Sequence, residues 1–358
     1  MKFNFHGKKI GGILTVVPKN IIDFDDEISN FKSTPNQMRR LKQVMGFGKR
    51  RIAEVGTTVS DLTVFGVEKL FAQGLMTREE IGAMLVVTHT PDYLVPPTAN
   101  VIQGRLNLSH DVYCLDIDNG CAGYVVGLVQ AFQLLEHMTD KKVLLVAGDL
   151  ASKFYSKKDR KTYPLMGDGV SITIVENDAS DEKIFVEIRM DGTRADAIII
   201  PAGGMKLPRS AETAKEFEDD DGNIRTLNDC AFKGGEIFNF TQVDVPPLIE
   251  DVIAASGKSK SDIDYFLFHQ PNKFMVDRLA EVLDLPPEKV PDDIVTFFGN
   301  ASAATIPTAI CFKLKPDILQ KSFDVCMSGF GTGLNWGALV MKLGALRFCD
   351  IAEFDEVS

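Results

Sequence analysis

Positive charge is scarce in this chain: 39 lysines and arginines stand against 50 aspartates and glutamates, a formal net charge of -11. Gripping nucleic acid or an anionic membrane relies on clustered Lys and Arg that neutralise phosphate, so neither is an expected partner. Any anionic ligand must then meet a local basic patch. No apolar run is long enough to cross a bilayer, and the opening MKFNFHGKKI lacks the apolar stretch of a signal peptide. A soluble, cytoplasmic protein is the expectation. The six cysteines (Cys114, Cys121, Cys230, Cys311, Cys326, Cys349) are spread out with no CxxC pair, so neither a disulfide framework nor a zinc site is suggested. Small buried apolar residues are the default reading for them. GKS/T is absent, which disfavours a P-loop, and no metal or redox cofactor is indicated.

What is present is an ordinary globular composition, 45% hydrophobic over 358 residues, enough for one large core or two packed halves. One order of elements occurs twice. In the first half it runs SDLTVFGVEKLFAQG, AMLVVTHT, VYCLDIDNGCAGYVVGLVQAFQLLE, then VLLVAGD with GDGVSITIVE. In the second it runs TQVDVPPLIEDVIAASG, YFLFHQP, DIVTFFGNASAATIPTAICFKLK, then DVCMSGFGTGLNWGALVMKL. Each reads as helix, apolar strand, a strand entering a Gly/Asn turn and helix, and a glycine-rich strand pair. The pattern predicts an α/β fold of two duplicated halves, 1–185 and 186–358, each with a parallel or mixed sheet covered on both faces. Residues 201–233 between them read as a long excursion, either a solvated loop or the wall of a pocket.

Three residues carry candidate chemistry. Cys121, in Asp118-Asn119-Gly120-Cys121-Ala122-Gly123, falls where a strand gives way to a helix. Free N–H groups and the helix dipole there favour a thiolate, so a lowered pKa and a nucleophilic sulfur are expected. A structural cysteine is the alternative. His269, in Phe268-His269-Gln270-Pro271-Asn272, ends the strand YFLF, where α/β folds place chemistry. His6, His89, His110 and His137 are read as ordinary histidines, although His89 also ends a strand. Asn300, in FGNASAA, falls near the position Cys121 holds in the other repeat, so pseudo-twofold packing would bring all three together; a helix N-cap is the competing account. The turns around Gly167 and Gly331 offer close backbone approach and N–H groups for an oxyanion.

These blocks resemble, in order and spacing across nearly the whole chain, the beta-ketoacyl-[acyl-carrier-protein] synthase III family of thiolase-superfamily condensing enzymes. The matching stretches are IGGILTVVPKNII, MGFGKRRIA, THTPDYLVPPTA, DNGCAGY, GDG, HQPN, FGNASAATIP and GFGTGLNWGALV. The resemblance implies a five-layer αβαβα fold, a homodimer, and a Cys–His–Asn triad of Cys121, His269 and Asn300. It further implies acyl-CoA and malonyl-acyl-carrier protein as substrates and no cofactor. Cys121 would take the acyl group, His269 and Asn300 would stabilise the enolate left by decarboxylation, and the backbone N–H groups of Cys121 and Thr332 would hold the oxyanion. Arg160 matches a family arginine near the CoA nucleotide, within a cluster with Lys157, Lys158 and Lys161.

The sequence also departs from the family. The tryptophan expected before MGFGKRR is missing, and Trp336 is the only one present. Phe274, beside Lys273, replaces an arginine implicated in carrier docking, and Gly235 replaces an asparagine near the pantetheine arm. These differences indicate a specialised member. Three other readings compete. An acyltransferase acting on an alcohol or amine would have no use for Asn300. A hydroxymethylglutaryl-CoA synthase-like enzyme would need a carboxylate near Cys121, with Glu54 and Asp92 as candidates. A non-catalytic subunit of the same fold should have lost the triad.

Overall fold

The computed structural model describes residues 1–355. Eleven strands build two sheets. In chain order they are β1 (Lys2–His6), β2 (Lys8–Pro18), β3 (Ile81–Val87), β4 (Tyr113–Ile117), β5 (Lys142–Leu150), β6 (Asp168–Asn177), β7 (Lys183–Met190), β8 (Tyr265–Phe268), β9 (Ser322–Gly331), β10 (Asn335–Gly344) and β11 (Cys349–Phe354). The first sheet has the order β11-β2-β6-β5-β3-β4 and the second β1-β7-β10-β9-β8. The shared order β2-β6-β5-β3 and β7-β10-β9-β8 is the duplication made visible. Both sheets are mixed: β5, β3 and β4 run parallel, as do β8 and β9, whereas the glycine-rich pairs β5–β6 and β9–β10 are antiparallel.

The principal helices are α1 (Pro35–Met45), α2 (Val59–Ala72), α3 (Thr98–Arg105), α4 (Gly123–Leu135), α5 (Gly234–Val243), α6 (Val245–Ala255), α7 (Lys273–Val282) and α8 (Thr305–Ala309). α4 is apolar over most of its surface, with Gln133 exposed near its end, and packs against strands of both sheets. With α8 it forms the middle layer. α2 and α3 cover the outer face of the first sheet, and α6, with α5 and α7, covers the second. The layers are therefore αβαβα. Strand sequences are continuous hydrophobic runs because both faces are buried: along β3, Ala83, Leu85 and Val87 face the inner core while Met84 and Val86 face α2.

Two features differ from the sequence expectation. The halves are not separate sheets: β1 pairs with β7 in the second sheet, β11 pairs with β2 in the first, and residue 185 lies inside β7. Residues Ile294–Phe298, expected as a strand, form a short helix. Its buried positions Ile294 and Val295 and half-buried Phe298 follow helical spacing, and Gln270 accepts the Ile294 N–H at 2.9 Å, satisfying an otherwise free donor at its start.

Candidate active site

Cys121 lies between β4 and α4, two residues ahead of the first helical residue, Gly123. His269 is the first residue beyond β8, and its N–H donates to the Ser328 carbonyl at 2.8 Å, which pins it to β9. Asn300 sits past the short helix, where its N–H donates to the Leu165 carbonyl at 2.7 Å and its carbonyl accepts from Gly167 at 3.2 Å. Three distant segments thus meet: Cys121, His269 and Asn300 all line one cavity of about 700 Å³.

The glycine turns make this meeting possible. A Cβ on Gly331 would come within 2.6 Å of the Cys121 Cβ, and one on Gly167 within 2.1 Å of the Phe298 carbonyl oxygen. Close approach here serves the residues that build the site, with no phosphate cradle needed. Gly299 takes φ of +78° immediately before Asn300, a conformation that favours glycine.

Electrostatics at Cys121 run against the sequence expectation of a lowered pKa. Burial pushes the thiol up to about 11, with the Asp149 charge adding to it, against hydrogen bonds from the Ser302 hydroxyl and the N–H groups of Cys121 and Thr332. Loss of hydration outweighs the helix end. The sulfur lies 3.9 Å from Ser302 Oγ. His269 is 1% exposed, and burial holds its pKa down to about 3, so its ring is neutral. Its Nδ1 lies 2.8 Å from Thr305 Oγ1, leaving Nε2 for a ligand. The Asn300 Oδ1 accepts the Ser302 N–H at 2.9 Å, which leaves the amide Nδ2 as a free donor.

Of the other predicted residues, Gly235 lines the same cavity, in α5, beside Ile237 and Phe238. Thr332 joins Cys121 and Asn300 in a smaller, connected cavity of about 300 Å³. Arg160 and Lys273 line neither. Arg160 donates to the Asp221 carbonyl at 2.5 Å and the Lys32 carbonyl at 3.3 Å, and Lys273 pairs with Asp277 and Asp292. Lys158 and Lys161 are paired with Glu216 and Asp221. The cavity wall there is acidic, with Asp219, Asp220 and Asp221 contributed by the excursion. Neither Glu54 nor Asp92 lines a cavity with Cys121; Asp149 does so in the smaller cavity, and Asp159, Asp219, Asp220 and Asp221 do so in the larger. Sequence reasoning passed over Asp149, His89, Tyr155 and Ser302, and only the position of His89 at a strand end signalled it. Among the described residues no group of three or more His, Cys, Asp or Glu could hold a metal ion, and no helix is long and apolar enough to cross a membrane.

Comparison with known proteins points to one family. Residues 115–192 match the family described as 3-oxoacyl-[acyl-carrier-protein] synthase III, and residues 253–343 match its C-terminal part. A putative 3-oxoacyl-[acyl-carrier-protein] synthase 3 of Campylobacter jejuni is 36% identical over 96% of each chain. A beta-ketoacyl-[acyl-carrier-protein] synthase III of Microcystis aeruginosa is 30% identical over 89% of this chain and 93% of its own. A crystal structure of a 3-oxoacyl-(acyl-carrier protein) synthase from Burkholderia xenovorans superposes with a TM-score of 0.91 at 34% identity, covering 99% of both chains. With matches of that identity running the length of the molecule, the chain belongs to the 3-oxoacyl-[acyl-carrier-protein] synthase III family.

Proposed function

We propose that this chain catalyses the decarboxylative Claisen condensation of an acyl thioester with malonyl-acyl-carrier protein, in fatty acid or related lipid or secondary-metabolite biosynthesis. The observation that carries the reading is the convergence of Cys121, His269 and Asn300 on one cavity, with the His269 Nε2 and the Asn300 Nδ2 both left unpaired. In the first step the Cys121 sulfur attacks the carbonyl of acyl-CoA. The tetrahedral oxyanion is held by the N–H groups of Cys121 and Thr332, and CoA leaves as the thiol, taking the proton Cys121 gave up. In the second, malonyl-carrier protein loses carbon dioxide from its free carboxylate. The electron pair passes to an enolate whose oxygen accepts hydrogen bonds from His269 and Asn300, and its carbon attacks the acyl carbonyl. The bond to sulfur breaks, a 3-oxoacyl-carrier protein departs, and a proton from water restores the thiol.

Neutral His269 suits this task, because stabilising the enolate calls for a donor and no base is needed once decarboxylation supplies the carbanion. Gly235 would lie along the pantetheine arm. Arg160 and Lys273, outside the cavity, would meet CoA phosphates and the carrier protein at the surface. We read the two halves as evolved duplicates whose boundary lies ahead of β7, close to the expected 1–185 and 186–358 division. A homodimer is supported by the family and by Leu94 and Val95, 83% and 82% exposed beside each other.

Intact-protein mass spectrometry after incubation with a panel of acyl-CoAs, for the native chain and Cys121→Ala, tests the reading. A Cys121-dependent adduct discharged by malonyl-carrier protein as a 3-oxoacyl product is expected. An adduct that malonyl-carrier protein leaves untouched would replace condensation with simple acyl transfer, and no adduct from CoA or carrier donors would indicate a non-catalytic subunit.

A further inference from the structure

The space around Cys121 does not end at the thiol. Its inner cavity of about 300 Å³, lined also by Asp149 and Tyr155, meets a larger one of about 860 Å³, and His89, Phe154 and Ile200 line both. His89 therefore stands where the two cavities meet. Its Nδ1 lies 2.6 Å from Asp118 Oδ1, while its Nε2 is buried with no hydrogen-bond partner. A buried ring nitrogen without a partner is costly and calls for a ligand or catalytic explanation. The nearby Asp149 is similarly one-sided. All four of its hydrogen bonds, from the Thr88 and Thr90 hydroxyls and the His89 and Thr90 N–H groups, go to Oδ1, which leaves Oδ2 free.

The chemistry of the missing partner follows from the tautomer. Asp118 accepts the Nδ1 proton, so Nε2 accepts when the ring is neutral and donates when it is charged. Burial lowers the His89 pKa, but the Asp118 hydrogen bond and the charges of Asp149 and Asp118 outweigh it and leave it above its ordinary value. Nε2 thus shares the inner cavity with Asp149 and the Cys121 thiol. A hydroxyl is the simple group that pairs with Nε2 in either state, and its proton also suits Asp149 Oδ2. A purely aliphatic chain would leave both groups unpaired.

We propose that the acyl group delivered to Cys121 carries a hydroxyl, and that His89, oriented by Asp118, determines that specificity. The inference rests on the reading of Cys121 as acyl acceptor. Acylation rates of Cys121 by butyryl, 2-hydroxybutyryl, 3-hydroxybutyryl and 4-hydroxybutyryl thioesters, on CoA and on carrier protein, test it. For the native chain kcat/KM should favour at least one hydroxylated isomer over butyryl by about tenfold or more. His89→Phe, which keeps a ring and removes both nitrogens, should abolish that preference while still accepting butyryl, and His89→Gln should retain part of it. Butyryl acylating the native chain as fast as every hydroxylated isomer would overturn the proposal and leave the condensing reading intact, as would an unchanged ratio in His89→Phe. Acylation by none of the thioesters would overturn both.

Discussion

Thr305 has a single hydroxyl proton and three neighbours: the Gln270 N–H donates to it at 3.3 Å, the Ser302 carbonyl lies at 3.0 Å and His269 Nδ1 at 2.8 Å. For His269 to donate to an enolate its proton must sit on Nε2, a tautomer favoured when the Thr305 hydroxyl turns from the Ser302 carbonyl to donate to Nδ1. Thr305 is thus a positioning residue acting through His269. Thr305→Val should leave acylation of Cys121 within about twofold yet slow condensation by about tenfold or more, and Thr305→Ser should restore it. Equal loss in both half-reactions would mark a merely structural role. The raised pKa of Cys121 leads to a second expectation. Iodoacetamide should label it slowly at pH 7, with a rate that climbs about tenfold per pH unit and levels only near pH 11. A plateau near pH 8 would show an ordinary thiol. At this scale the sequence spoke clearly for Cys121, His269 and Asn300, since each ends an apolar strand or opens a small-residue turn. The pKa values of Cys121 and His269 were not legible, because burial by residues far along the chain decides them.

The elements that present these groups depend on support remote in sequence. Arg50 is fully buried, pairs with Glu27 and donates to the Tyr163 and Met166 carbonyls, both at 2.8 Å. It props the segment whose Gly167 N–H bonds the Asn300 carbonyl. Arg50→Ala would leave the Glu27 carboxylate and two carbonyls without their partner, and should cost about 3–5 kcal/mol by urea unfolding. A loss below about 1 kcal/mol would show that water replaces the guanidinium freely. Nothing in GKRRIA distinguishes Arg50 from the half-buried Arg51 beside it, which is why its role was invisible beforehand. Ile294–Phe298 was misread for a related reason: five mostly apolar residues carry too little periodicity to separate strand from helix, and contacts from other segments, such as the Gln270 side chain at its start, support the helix.

Across the whole molecule the repeat predicted the layered architecture, because helix-strand order is written in hydrophobic periodicity. The exchange of β1 and β11 between sheets was not written there, as strand pairing at chain ends depends on which open edge lies nearest. With both halves locked together, the acid response should be shared. His269 is held neutral down to about pH 3 in the folded chain, whereas an ordinary histidine takes a proton below about 6.5. The unfolded chain therefore binds more protons between those values, and stability falls as pH drops through that window. Urea unfolding should show native protein losing about 2 kcal/mol more than His269→Gln between pH 7 and pH 5; parallel curves would place the His269 pKa near its ordinary value. The central claim, that Cys121 carries the acyl group while Asn300 and His269 drive loss of carbon dioxide, is tested most directly by carbon dioxide release from malonyl-carrier protein with the acylated enzyme. Native protein should release one carbon dioxide per 3-oxoacyl product, and Asn300→Ala should acylate normally but release it about 100-fold more slowly or worse. Unimpaired release by Asn300→Ala would contradict the account.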